Sequence, residues 1–221
     1  MQERQKNRAL YFQELATTSK KYFIPYISKH KEIKPDMHIL EIGCGDGGNL
    51  LPFSELGCRI IGVDMAGSRI KDAIRFFQEQ NRPGTFIASD IFKLKELEHQ
   101  FDIIICHDVL EHIENKGLFL SNLRRYVKED GIVFMSFPAW QMPFGGHQQI
   151  CKSKVVSHLP FIHLLPNFLY KSILKAGGED APCMKELFDI KKTRTSIELF
   201  EKLAKKENIT IFDRQLYFIN P

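Results

Sequence analysis

The stretch "HILEIGCGDGGNLLPF" (residues 38–53) places four glycines within residues 43–48, directly after one apolar run and directly before another. Glycine takes positive φ without strain and lets backbone approach a ligand that a Cβ would push away. A turn of this kind between a strand and a helix is where open α/β sheets bind ligands, outside the carboxyl ends of the strands and against unpaired helix N–H groups. "GCGDGG" satisfies the dinucleotide pattern GxGxxG and also GxGxG, so the glycines alone leave the ligand open.

Working outward, "MHILEI" (37–42), "RIIGVD" (59–64), "TFIAS" (85–89), "FDIIIC" (101–106) and "GIVFMSF" (131–137) are short β-branched runs without alternation. That pattern predicts strands covered on both faces. Helical spacing lies between them, at Ile70, Ala73, Ile74 and Phe77, and again at Phe119, Leu120, Leu123, Tyr126 and Val127. Strand and helix in alternation predict a doubly wound, mostly parallel sheet.

Four segments follow from this: an N-terminal helical cover (1–36), a core (37–140), a lid (141–190), and a final helix and strand (191–221). The lid is too long for a plain connection, which seldom exceeds ~15 residues. The final helix, Ile197 to Lys206, is expected to open with a capping box from Thr195 to Glu198. "ITIFDRQLYFI" reads as the last strand, either truncated relative to a longer chain, completed by a segment from elsewhere, or split at Asp213–Arg214 into a short hairpin.

Composition narrows the classes. A chain of 221 residues with 43% hydrophobic residues can bury a sizeable core. A net charge of +4, spread along the chain, argues against nucleic acid as partner. Five cysteines with no CxxC pair suit a reducing cytoplasm, and no window has the apolar length of a membrane span.

The surroundings of the glycine turn decide between cofactors. "ILEIGCGDG", "IIGVDMA", "ASDI", "FDIIICHDVLEHI" and "KEDGIVFMSFP", in order over residues 37–138, resemble the motifs of class I S-adenosylmethionine-dependent methyltransferases, closest to their small-molecule branch. The resemblance implies a Rossmann-like sheet in the order 3-2-1-4-5 plus an edge strand, and transfer of a methyl group to a small-molecule acceptor at oxygen, leaving S-adenosylhomocysteine. It assigns Glu41 and the backbone of Gly43, Cys44, Gly45 and Gly47 to the methionine end of the cofactor. Asp64 goes to the ribose hydroxyls, Met65 and Ile91 to the adenine, and Asp90 to its exocyclic amine, with Cys106 in the same cofactor set. A carboxylate accepts both ribose hydroxyls, and a second suits the cofactor's positive charge. Asp90 reads equally as the cap of "DIFKL".

In "DVLEHI", Asp108, Glu111 and His112 resemble the E-x-x-E-H arrangement with which ubiquinone-type O-methyltransferases hold a divalent metal, but Asp stands for the first Glu and no metal is assigned. His147, after Gly145–Gly146 in "PAWQMPFGGHQQ", is a candidate base, with His107 at the mouth of the fourth strand as its rival. The rest of the lid, "CKSKVVSHLPFIHLLPNFLYKSILK", has four lysines and no acid. That composition suits an apolar or anionic acceptor, a patch at lipid headgroups, or simple packing. Two other functions fit the same residues, an NAD(P)-dependent oxidoreductase and a non-catalytic cofactor-binding protein.

Overall fold

The computed structural model describes residues 7–219. Within residues 7–109 and 121–136, one of two compact units, five strands form a parallel sheet. They are β1 (His38–Ile42), β2 (Arg59–Asp64), β3 (Thr85–Ala88), β4 (Phe101–His107) and β5 (Val127–Ser136), in the order β3-β2-β1-β4-β5. The central strands bury Ile39, Leu40, Ile103, Ile104 and Ile105 completely, as their unbroken apolar runs require. β5 begins earlier than expected, with Phe101 opposite Val127 and Ile103 opposite Ile132, so the register shifts between those pairs. The helical stripe predicted to reach Val127 therefore stops short of it.

The glycine turn leaves β1 with Gly43, Gly45 and Gly47 at φ of +73°, +52° and +82°. A Cβ on Gly43 would lie 2.4 Å from Val109 Cγ2, and one on Gly47 2.8 Å from the Phe86 ring. Both positions are therefore closed to other residues by conformation and by crowding. On Gly45 the nearest atom, at 3.1 Å, is the Arg69 guanidinium, the far end of a flexible side chain.

The N-terminal cover consists of α1 (Arg8–Thr18), a π-helical turn (Ser19–Phe23) and α2 (Ile24–Ser28); the part expected before residue 7 lies outside the described residues. Phe12, Ala16, Phe23 and Ile27 are its buried face. Phe12 stacks on Phe76, with ring centroids 4.8 Å apart, and Ser19 Oγ donates to the Asn49 carbonyl at 2.7 Å. The cover is thereby tied to the residues just after the glycine turn, α3 (Leu51–Glu55) following them. On α4 (Gly67–Glu79) the buried residues are Ile70, Ala73, Phe76 and Phe77. Ile74, expected inward, is exposed, because Phe76 takes the inward angle. Next in the chain is α5 (Lys116–Leu123).

The second unit comprises residues 110–120 and 137–219. It holds α6 (Lys154–His158), α7 (Asn167–Ala176), α8 (Ala181–Thr193) and α9 (Ile197–Lys206). Cys151, Val156, Ile162, Tyr170, Leu174 and Leu187 form its core, so the predicted lid packs around its own apolar centre. The buried ammonium of Lys116 donates to the carbonyls of Ile113 and Thr193. α9 has the predicted bounds, but its cap is Ser196, whose side chain accepts from Leu199 N–H at 3.1 Å, one residue later than the expected Thr195. Thr195 is buried instead, with its carbonyl accepting from Trp140 N–H.

The strand expected in residues 209–219 is not formed. These residues have no ladder partner, and Phe212, Leu216, Tyr217 and Phe218 are exposed. β-propensity reflects a fit to neighbouring strands, so an apolar run with no strand beside it stays irregular. For the same reason neither the closed hairpin nor a strand turning at Asp213–Arg214 is present.

Candidate functional site

At the carboxyl end of β1, Glu41 is wholly buried. Asn49 Nδ2 donates to its Oε1 at 2.7 Å, while Oε2 has no partner. Burial pushes the carboxyl up to about 8, against the Asn49 hydrogen bond and with a smaller push from the charge of Asp64. Asp64 ends β2 and braces the turn, its Oδ2 accepting from Gly45 N–H at 2.9 Å and its Oδ1 from Ala66 N–H at 2.7 Å. The next residue, Met65, is 81% exposed. Asp46, inside the turn, is buried and paired with Arg8 of α1; burial raises its carboxyl in spite of that cation.

Asp90 Oδ1 accepts from Phe92 N–H at 3.0 Å, capping the short turn Ile91–Lys93, and buried Ile91 accepts at its carbonyl from the Tyr126 hydroxyl at 2.8 Å. Asp90 is thus a helix cap in this structure. Cys44 and Cys106 are buried in the sheet core, where burial pushes both thiols up, so neither is a nucleophile near neutrality. His107, at the end of β4, has Nδ1 2.6 Å from Ser136 Oγ and Nε2 3.5 Å from Asp108 Oδ2.

The second unit brings together three donors from two segments. His147 Nε2 stands 3.2 Å from Oε1 of the buried Glu111, and the His112 ring meets that of His147 edge-on at 5.6 Å. One ligating atom from each of Glu111, His112 and His147 lies within 4.8 Å of the others. Asp108, which the motif grouped with Glu111 and His112, is not a member of this cluster; His147 is. It could not be foreseen from spacing, because His147 arrives from 36 positions beyond Glu111.

His147 is held firmly. Gly145 and Gly146, expected to supply flexibility, are buried, and a Cβ would lie 2.4 Å from the Ala139 carbonyl oxygen or 2.2 Å from His163 Cβ respectively. They are glycines because other chain passes against them, while His147 itself carries the positive φ of +57°. His163, underneath, is buried with Nε2 2.9 Å from the Trp140 carbonyl oxygen, and burial keeps it below the usual histidine range. A cavity of about 530 Å³ adjoins the cluster at His112 and is lined by Glu114, Glu186 and Asp189 facing Lys185 and Lys192.

Comparison with known proteins decides the family. A family model described as "Methyltransferase domain" matches residues 33–178, two-thirds of the chain. The chain belongs to this methyltransferase domain family. Membership sets aside the oxidoreductase alternative. Among curated proteins, the chain is similar to the ubiquinone biosynthesis O-methyltransferase of Rickettsia bellii, strain OSU 85-389, with 33% identity over 115 residues, 52% of this chain and 48% of that protein. The Rickettsia canadensis enzyme of the same name is 31% identical over 115 residues, again 52% and 48% of the two chains. The chain thus spans about half the length of the curated relatives it matches.

Among solved structures it shares its fold with the plantazolicin methyltransferase BpumL, at a TM-score of 0.60 and 18% identity, over 91% of this chain and 65% of that one. A Haemonchus contortus phosphoethanolamine N-methyltransferase 2 aligns with a TM-score of 0.55 and 18% identity, over 82% and 35% of the chains. No helix among the described residues is long and apolar enough to cross a membrane.

Proposed function

We propose that this chain transfers a methyl group from S-adenosylmethionine to a hydroxyl oxygen of a small-molecule acceptor, releasing S-adenosylhomocysteine. The observation that carries the reading is Glu41, a buried carboxyl group with one unpaired oxygen, beside a turn of three positive-φ glycines braced by Asp64. A nicotinamide dinucleotide would bring phosphates to that turn; a buried acid whose second oxygen has no partner suits instead a cation that would draw off its proton, which the cofactor's amino group supplies. The cofactor's sulfonium provides the electrophilic methyl.

The chain's work is to bind and align. Glu41 and the backbone of Gly43 to Gly47 would hold the methionine end, Asp64 the ribose hydroxyls through its remaining lone pairs, and Met65, Asp90 and Ile91 the adenine. His147 would take the acceptor's proton at Nδ1, because its Nε2 faces Glu111, whose carboxylate stabilises the imidazolium that forms. His107, engaged with Ser136 and Asp108, serves better as a strut. The names of the Rickettsia relatives, O-methyltransferases, support a hydroxyl acceptor. The charged cavity beside His112 would admit a polar small molecule. The thiols of five cysteines, none in a disulfide, support a cytoplasmic setting.

The test pairs calorimetric titration of S-adenosylmethionine with turnover to S-adenosylhomocysteine on phenolic acceptors. His147→Ala should lower kcat by ~10²–10⁴, the usual worth of a positioned base, while melting temperature and cofactor affinity stay unchanged. Full turnover per folded molecule in that variant returns His147 to a structural role. Failure to bind the cofactor at all removes the larger proposal.

A further inference from the structure

In the second unit Cys151, Glu179 and Cys183 converge. Cys151 follows the short turn Gln148–Ile150, whereas Glu179 and Cys183 flank the start of α8. One ligating atom from each lies within 4.8 Å of the others, and Cys151 and Glu179 are buried. We propose that these two thiols and the carboxylate are a zinc site that ties the segment after His147 to the N-terminus of α8.

Three features support this beyond proximity. First, the donor set is right: thiolate and carboxylate are zinc ligands, and in a tetrahedral zinc centre such donors stand about 3.3–3.8 Å apart, a contraction of at most about 1–1.5 Å from the 4.8 Å limit here. Second, the carboxylate is already oriented. Lys152 N–H donates to Glu179 Oε2 and Ser153 N–H to Oε1, each at 2.9 Å, and each oxygen keeps a second lone pair. Hydrogen bonds of this kind are what fix a ligating carboxylate in place. Third, these polar groups lie in an otherwise apolar setting. The neighbours are Val156, Ile162, Leu174 and Leu187, and the wholly buried Tyr170 hydroxyl has no hydrogen-bond partner.

Without metal, burial pushes the Cys183 thiol up to about 11 and the Cys151 thiol further, which suits neither a nucleophile nor a redox thiol near neutral pH. Coordination changes this balance. Two S–H bonds break, two Zn–S bonds and one Zn–O bond to Glu179 form in place of zinc-bound waters, one water of the aquo ion stays in the fourth position, and the two protons leave to solvent, with no electron transferred.

Reduced, chelator-treated whole chain is titrated with Co²⁺ as the spectroscopic probe, then with Zn²⁺. The expected result is one equivalent of cobalt showing the near-ultraviolet thiolate-to-cobalt charge-transfer band, discharged by zinc, with a rise in melting temperature. Cobalt held at Glu111, His112 and His147 has no such band, so the two clusters are told apart. Cys151→Ser/Cys183→Ser should abolish the band and the zinc-dependent rise. A native wild type without the band overturns the proposal, as does a band that survives in the double variant. A Cys151–Cys183 disulfide in metal-free native protein, detected by mass without reduction, overturns it too.

Discussion

Glu41→Gln separates the charge of the buried carboxyl from its shape. In the folded chain this carboxyl titrates at about 8, and its ordinary value is 4.5. Between those values the folded state keeps a proton that the unfolded chain has released, so stability falls as pH rises, beginning near 4.5 and ending near 8. A span of about 3.5 units at ~1.36 kcal/mol per unit is about 5 kcal/mol in all, of which about 3 kcal/mol has been lost by pH 7. Gln keeps the oxygen that accepts from Asn49 Nδ2 but places an N–H₂ where Oε2 has no partner. Below about pH 8 the protonated carboxyl leaves its own O–H unmet at the same place, so this donor adds little to the cost there.

The variant is therefore expected to match wild type closely at pH 5 and to be more stable at pH 8.5. Urea unfolding of cofactor-free protein at half-unit steps from pH 5 to 9 measures the difference curve, which should climb by about 1.4 kcal/mol per unit before levelling near pH 8. Parallel stability curves for the two proteins would refute the reasoning, since they would mean that Glu41 folds in as a carboxylate.

Asp64→Ala should weaken S-adenosylmethionine binding by about 1.5–3 kcal/mol, the worth of a charged hydrogen-bond pair, and unchanged affinity by calorimetry removes Asp64 from the ribose. The same substitution strips the acceptor from Gly45 N–H and Ala66 N–H, so a modest loss of melting temperature accompanies it. Gly146→Ala forces a Cβ to within 2.2 Å of His163 Cβ and should cost about 1–3 kcal/mol of stability by displacing the turn before His147. An unaltered melting temperature would show that the turn yields at no cost.

The sequence by itself determined the alternation of strands and helices in a doubly wound sheet and the glycine turn, while the strand order came from the family resemblance and is made by the tertiary structure. The alternation and the turn are local: an unbroken β-branched run such as "FDIIIC" has one comfortable setting, and the glycines at 43, 45 and 47 meet a need expressed within a few bonds. Asp64 was legible as a carboxylate at the end of a strand, but its hydrogen bond from Gly45 N–H is made 19 residues away, by the fold. Only the tertiary structure decided which distant groups meet. Glu111 with His147, Asn49 with Glu41, and Cys151 with Glu179 and Cys183 are pairings made where the chain returns on itself, and no period along the sequence encodes a return. The same distinction explains the misreadings. Gly145 and Gly146 look like a flexible pair until the chain at Ala139 and His163 packs against them, and "ITIFDRQLYFI" looks like a strand although a strand needs a partner's ladder to exist.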